Sequence, residues 1–201
     1  PSLAGRSEYP RGGRTDYPPQ EVVGAESFLP IELDSARPHE AAFHVIPVPY
    51  ERTVSYGTGT AGGPAAIIRA SGYLEAFLDG VPGAAGIHTA AAPDLRGSPE
   101  AALAAIEGAV AAALEAGALP VMLGGEHTVT YPAVRAVRRF LRQPLGVVQF
   151  DAHADLRDTY QGTRWSHGCV MRRIWDEGIP ILQIGVRSLS VGEHGLRREK
   201  G

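Results

Sequence analysis

At 201 residues with a net charge of −3 at pH 7, the chain suits one domain, or one domain with appendages, and can bury roughly 70% of its unfolded surface. The mild acidity and the lack of a basic run exclude nucleic acid as the expected partner, and no apolar stretch reaches the roughly 18 residues of a membrane span. The single cysteine, Cys169, excludes an intrachain disulfide or CxxC zinc site and, with no secretory signal pattern at the start, leads to the expectation of a cytoplasmic protein.

Residues 1–40 are rich in Pro, Gly and charge and hold no period of 2 or 3.6, which predicts an extended N-terminal arm, either mobile or laid across a neighbouring subunit. Residues 41–201 carry the patterned part of the chain. The first core strand is expected over Ala42–Ile46, ended by Pro47 and Pro49, with His44 as a structural histidine inside it. A Gly57-x-Gly59-x-x-Gly62 run follows, and Pro64 suits the first turn of a helix reaching Ser71. The glycine run raises a dinucleotide site. Two prolines and Glu51-Arg52-Thr53 separate it from the strand, however, and the acid about twenty residues on, Asp79, falls in a turn.

Ser98 reads as the N-cap of a long helix to about Ala116, with Pro99 at its first position and Gly117 at its end. A strand over Leu119–Leu123 runs into Gly124-Gly125-Glu126-His127-Thr128. A helix from Thr130 to Leu141 shows a basic face, read as solvated. The apolar run Leu145–Phe150 predicts a buried parallel strand, followed by Asp151-Ala152-His153-Ala154-Asp155. After a loop, Ser166-His167-Gly168 opens a helix to about Glu177, and Ile181–Val186 reads as the last strand. Strands alternating with helices predict an α/β fold with a doubly wound parallel sheet.

Asp151, His153 and Asp155 stand at i, i+2 and i+4, so an extended backbone would point all three the same way. Two carboxylates and an imidazole at a buried strand end are costly unless a cation neutralises them. A second strand end delivers His127 to the edge where open α/β sheets hold their sites, and His167 completes the candidate group. Carboxylates and imidazole without thiolate favour Mn²⁺, with Zn²⁺ and Fe²⁺ as alternatives. Several carboxylates at one edge permit two ions about 3.5–4 Å apart, sharing an acidified water that attacks an electrophilic carbon. Glu126 is read as structural, turned toward backbone amides.

Gly124-Gly125-Glu126-His127-Thr128 resembles the G-G-[DE]-H-[ST] motif of the ureohydrolases, and Asp151-Ala152-His153-Ala154-Asp155 their D-A-H-x-D motif. Ser55, Tyr56, Gly59, Gly63, Pro64, Ile67, Ala70 and Ser71 are similar to the entry loop and helix of the agmatinase-like members. The resemblance spans about Ala42 to Val186. It implies a three-layer α-β-α arginase-like fold, an Mn²⁺ pair and hydrolysis of a small-molecule guanidino compound by a homo-oligomer. His127 and Asp155 would hold the first ion, Asp151 would bridge both, and His153 would bind the second. Asp155 would also steady the attacking water, and His167 would line the site and assist proton transfer. Asp158 is expected to attract a substrate ammonium, while Arg157 and Arg164 would favour a carboxylate tail.

The third family motif, S-x-D-x-D-x-x-D-P, has no match after Asp158. With Pro1 at the start and Glu199-Lys200-Gly201 at the end, this predicts an N-terminal part of a longer enzyme, truncated at the C-terminal side and inactive alone. The favoured activity is agmatine to putrescine. A guanidino-acid hydrolase, an arginase, or a non-catalytic or single-metal binding module are the alternatives.

Overall fold

Strand β1, Phe43–Val48, runs past its expected end and through Pro47. The Ala42 and Val48 carbonyls accept from Leu119 and Gly125 on one side, and the Val45 carbonyl accepts from Ala90 on the other. Successive residues bond to alternate neighbours, so Pro47 turns its missing donor toward the side where β2, Ile87–Thr89, has already stopped. The strand therefore tolerates the proline. The computed structural model describes residues 27–29, 35–74 and 85–200, so most of the expected arm and Asp79 lie outside the described residues.

β2 was not expected from the sequence: three residues beside an alanine-rich stretch carry no readable period. It pairs in parallel with β1, which pairs in parallel with β3, Leu119–Gly124. Helix α1, Gly63–Ser71, packs on β1 and β3. Helix α2, Pro99–Glu115, starts where Ser98 Oγ accepts the Ala101 amide at 3.2 Å. Its Ala102, Leu103, Ile106 and Val110 bury against Ile46 and Val48, forming one core.

Helix α3, Thr130–Leu141, has a basic face that is not simply solvated. Arg135 and Arg139 pair with Glu107 of α2, and Arg138 with Glu177 beyond α4, Val170–Asp176. A second core joins Tyr131 to Val170, Met171, Ile174 and Ile179.

β4, Val147–Phe150, and β5, Ile181–Ile184, pair in parallel as a separate sheet. The expectation of a buried β4 is corrected: Val148 is 57% and Phe150 78% exposed, and the buried member is the polar Gln149. Gln149 is satisfied by Gln183, whose amide donates to it at 2.6 Å. Leu182 and Ile184, cross-strand partners of Val148 and Phe150, share the bare face. β3 and β4 are not hydrogen-bonded neighbours. An apolar slot of about 300 Å³ lies between them, lined by Pro120, Met122, Ala133, Val134, Val137 and Val147.

Helix α5, Val191–Lys200, follows β5 and was not expected from the sequence. Glu193 Oε2 accepts the Ser190 amide at 2.7 Å, and Ser190 Oγ accepts the Glu193 amide. This is the S-x-x-E capping box, a signal present in the sequence.

Candidate metal centre

The corner after β3 is clamped onto the turn after β1. The Gly125 amide donates to Val48 at 3.0 Å and the Glu126 amide to Tyr50 at 2.8 Å. A Cβ on Gly125 would overlap the Tyr50 backbone, so only glycine fits. Glu126 turns inward and is 5% exposed. Its Oε2 accepts the Thr128 amide at 2.7 Å, capping the short turn His127–Val129, and its Oε1 accepts from Thr53. His127 is thereby presented at the carboxyl end of β3.

Asp151 leaves β4 at the facing edge. Its Oδ1 accepts the His153 amide at 2.8 Å, and its Oδ2 lies 3.6 Å from His127 Nδ1. Burial pushes the Asp151 carboxyl up, but the His153 amide, the His127 ring and the Gln149 side chain together hold it below its usual 3.8.

The backbone does not stay extended to Asp155. That residue has φ 52°, in the left-handed region, and its carbonyl accepts the Met171 and Arg172 amides. The turn brings Asp155 Oδ2 to 2.6 Å from His127 Nδ1. The His153 ring is left apart, with a 62% exposed side chain and its Nδ1 3.4 Å from Asp151 Oδ1. Donor atoms of His127, Asp151 and Asp155 lie within 4.8 Å of one another; His153 is not in that group. The donors reach the site in two ways that spacing did not show. The strands belong to separate sheets, and His153 meets only the outer oxygen of Asp151.

The donor set suits a hard divalent cation, since one imidazole and two carboxylates 2.6 and 3.6 Å from it can surround an ion held at about 2 Å from each.

These groups open on a cavity of about 520 Å³, also lined by Ser55, Tyr56, Arg157, Tyr160, His167 and Glu193. His167 Nε2 is 2.9 Å from Ser55 Oγ, and the Tyr160 ring meets the His167 ring edge-on at 5.4 Å. Arg157 lies over the Tyr160 ring at 4.8 Å and 3.9 Å from the buried Glu193 carboxylate. Glu193 was not singled out from the sequence. Burial pushes its carboxyl up, but Ser190, the Leu156 amide and Arg157 hold it below 4.5.

Asp158 is outside the cavity. Its carboxylate accepts from the buried Arg173 guanidinium at 2.6 Å, which holds it below the usual carboxylate range. Arg164 lies over the Trp165 ring at 5.3 Å. The amides of Gly59 and Ala61, which a phosphate would need, are taken by the Glu51 carboxylate at 2.7 to 3.0 Å. That occupancy removes the dinucleotide reading.

Parallel strands that deliver imidazole and carboxylate donors from their carboxyl ends into one cavity define an α/β domain with a cluster that could hold a divalent cation. The chain belongs to the arginase family, whose model matches residues 41–201. It is 37% identical over 194 residues to the N(1)-aminopropylagmatine ureohydrolase of Synechocystis sp., covering 91% of this chain and 62% of that protein. It is 38% identical to the agmatinase of Pyrococcus horikoshii, covering 79% of this chain and 56% of that protein. The agmatine ureohydrolase of Thermoplasma volcanium superposes with a TM-score of 0.67 at 31% identity, over 79% of this chain and 55% of that one. The chain thus spans little more than half the length of the relatives it matches.

Proposed function

We propose that this chain carries part of the metal centre of a ureohydrolase that releases urea from a cationic guanidino compound, agmatine being the favoured substrate. The observation that carries the reading is the convergence of His127, Asp151 and Asp155 in a cavity shared with His167. His127 and Asp155 would hold one Mn²⁺, Asp151 would lie between two, and His153 would serve the second from the other Asp151 oxygen. When bound, such ions would supply an activated water at neutral pH. The chain's own groups do the rest. Asp155 orients the attacking water, and His167 moves a proton at Nε2.

Among the described residues, four carboxylates, Glu126, Asp151, Asp155 and Glu193, line the cavity against one guanidinium, Arg157, whose charge is already met by Glu193. That balance favours a cation over an acid tail. Agmatine and its aminopropyl derivative, the compounds in the relatives' names, both fit it. Tyr160 offers an aromatic face beside them. Asp158 has no part in this reading. The cytoplasmic setting and a homo-oligomer belong to it through family likeness alone.

Among the described residues three donors come together, and β3 and β4 remain unpaired across an apolar slot. We therefore expect this length alone to bind Mn²⁺ weakly and to release little urea. A single-metal binding module is the second reading, favoured by the separation of His153. The test is urea release, with excess Mn²⁺, by the product of the complete reading frame, offered agmatine, N(1)-aminopropylagmatine, arginine and 4-guanidinobutyrate. Turnover of the cationic pair supports the proposal. Preference for the acid overturns the substrate, and no urea from any guanidine overturns the hydrolase.

A further inference from the structure

We propose that Thr53 and Glu126 are positioning residues that fix the tautomer of His167, leaving its cavity-facing Nε2 unprotonated. The catalytic use of that nitrogen rests on the function proposed above; the tautomer itself does not.

The argument follows the hydroxyl of Thr53, which has one proton to donate and two lone pairs to receive. Three partners surround Thr53 Oγ1: Glu126 Oε1 at 2.8 Å, the His167 amide at 3.0 Å and His167 Nδ1 at 3.1 Å. A carboxylate accepts only, so the Thr53 proton goes to Glu126. The remaining oxygens and amides agree: Glu126 Oε1 also accepts the Thr53 amide at 3.2 Å, and Oε2 the Thr128 amide at 2.7 Å. A backbone amide donates only, so it fills one Thr53 lone pair. The other lone pair faces Nδ1, which must then carry a proton. Ser166 Oγ lies 3.4 Å from the same nitrogen, a longer contact that can accept from it as well.

In a neutral imidazole with Nδ1 protonated, Nε2 is an acceptor. It faces Ser55 Oγ at 2.9 Å, so Ser55 donates to it, and Tyr160, 3.2 Å away, can donate to Ser55. The donors thus run in one direction, from Tyr160 through Ser55, His167 and Thr53 to the buried Glu126. If Nε2 carried the proton instead, two lone pairs would meet at 3.1 Å between Nδ1 and Thr53, or at 2.8 Å between Thr53 and Glu126. Glu126 does more than cap a turn: its charge reaches a group in the cavity through one hydroxyl. A histidine fixed this way presents Nε2 as an acceptor, the form a general base needs once substrate takes the place of the Ser55 donor.

The test is the nitrogen-15 spectrum of histidine-labelled 201-residue protein without metal or substrate, with the His167 signals assigned by their loss in His167→Gln. We expect the Nδ1–H pattern in the wild type and in Thr53→Ser, which keeps the hydroxyl, and conversion to Nε2–H in Thr53→Val. An Nε2–H pattern in the wild type overturns the proposal, as does an unchanged Nδ1–H pattern in Thr53→Val. Because urea release is not measured, an inactive enzyme with the Nδ1–H tautomer would count against the function and leave this inference standing.

Discussion

The two sheets of this protein are built from similar apolar strands and end up in opposite environments. In β1, Ile46 and Val48 are fully buried beneath α2. In β4, Val148 and Phe150 lie open and the buried residue is Gln149. Hydrophobic pattern alone does not decide burial; what packs on the strand does. The first sheet supplies His127 from a corner locked by backbone contact, and the second supplies Asp151 and Asp155. The candidate centre therefore spans two bodies of unequal packing.

Paired truncations sharpen that contrast most. Ile46→Ala is expected to cost about 2–5 kcal/mol, because the residue lies in a closed core. Phe150→Ala, although it removes a larger side chain, should change stability by no more than about 0.5 kcal/mol. Urea unfolding of the two variants checks this, and equal losses would show that the second sheet is covered in solution.

Gly125→Ala comes next, with an expected loss of about 1–3 kcal/mol as the Tyr50 backbone is pushed away. The same variant should move His127 and weaken Mn²⁺ binding. An alanine variant with wild-type melting and wild-type metal affinity would show that the corner is not locked as described.

The smallest effect is at Glu193, which ties α5 to the loop after β4 through the Leu156 amide. Glu193→Gln should cost about 1 kcal/mol near neutral pH. Its carboxyl is held below 4.5 in the fold, so the folded state binds fewer protons there than the unfolded chain. Its stabilisation is thus complete above about 4.5 and is lost as pH falls through the folded value. The wild type should lose its advantage over Glu193→Gln on acidification. A constant difference at all pH values contradicts the coupling.

The alternation of strands and helices was readable because α2 and α3 carry clear periods, caps and stops. β2 was not, since Ile87–Thr89 gains its identity only by pairing with β1. Nor was the separation of β3 from β4, because order in a sheet is set by contacts distant in sequence. α5 was legible in Ser190-x-x-Glu193, the capping-box spacing. At the site, the two motifs located His127, Asp151 and Asp155. The spacing did not reveal how the chain reaches Asp155, which takes a left-handed backbone that aspartate tolerates. The Asp158–Arg173 ion pair was not legible for a related reason: Arg173 sits a turn into α4, and only folding brings the two together.

Central to this account is a cation held jointly by the two sheets, with Asp151 between His127 and His153. The most direct measurement is Mn²⁺ binding by titration calorimetry, with metal content by elemental analysis, for the wild type and Asp151→Asn. The account predicts measurable binding in the wild type and a loss of at least about tenfold in affinity in Asp151→Asn, since a directly ligating carboxylate should matter no less than the outer partners whose loss costs about 10–100-fold. Near-normal manganese in Asp151→Asn would contradict it.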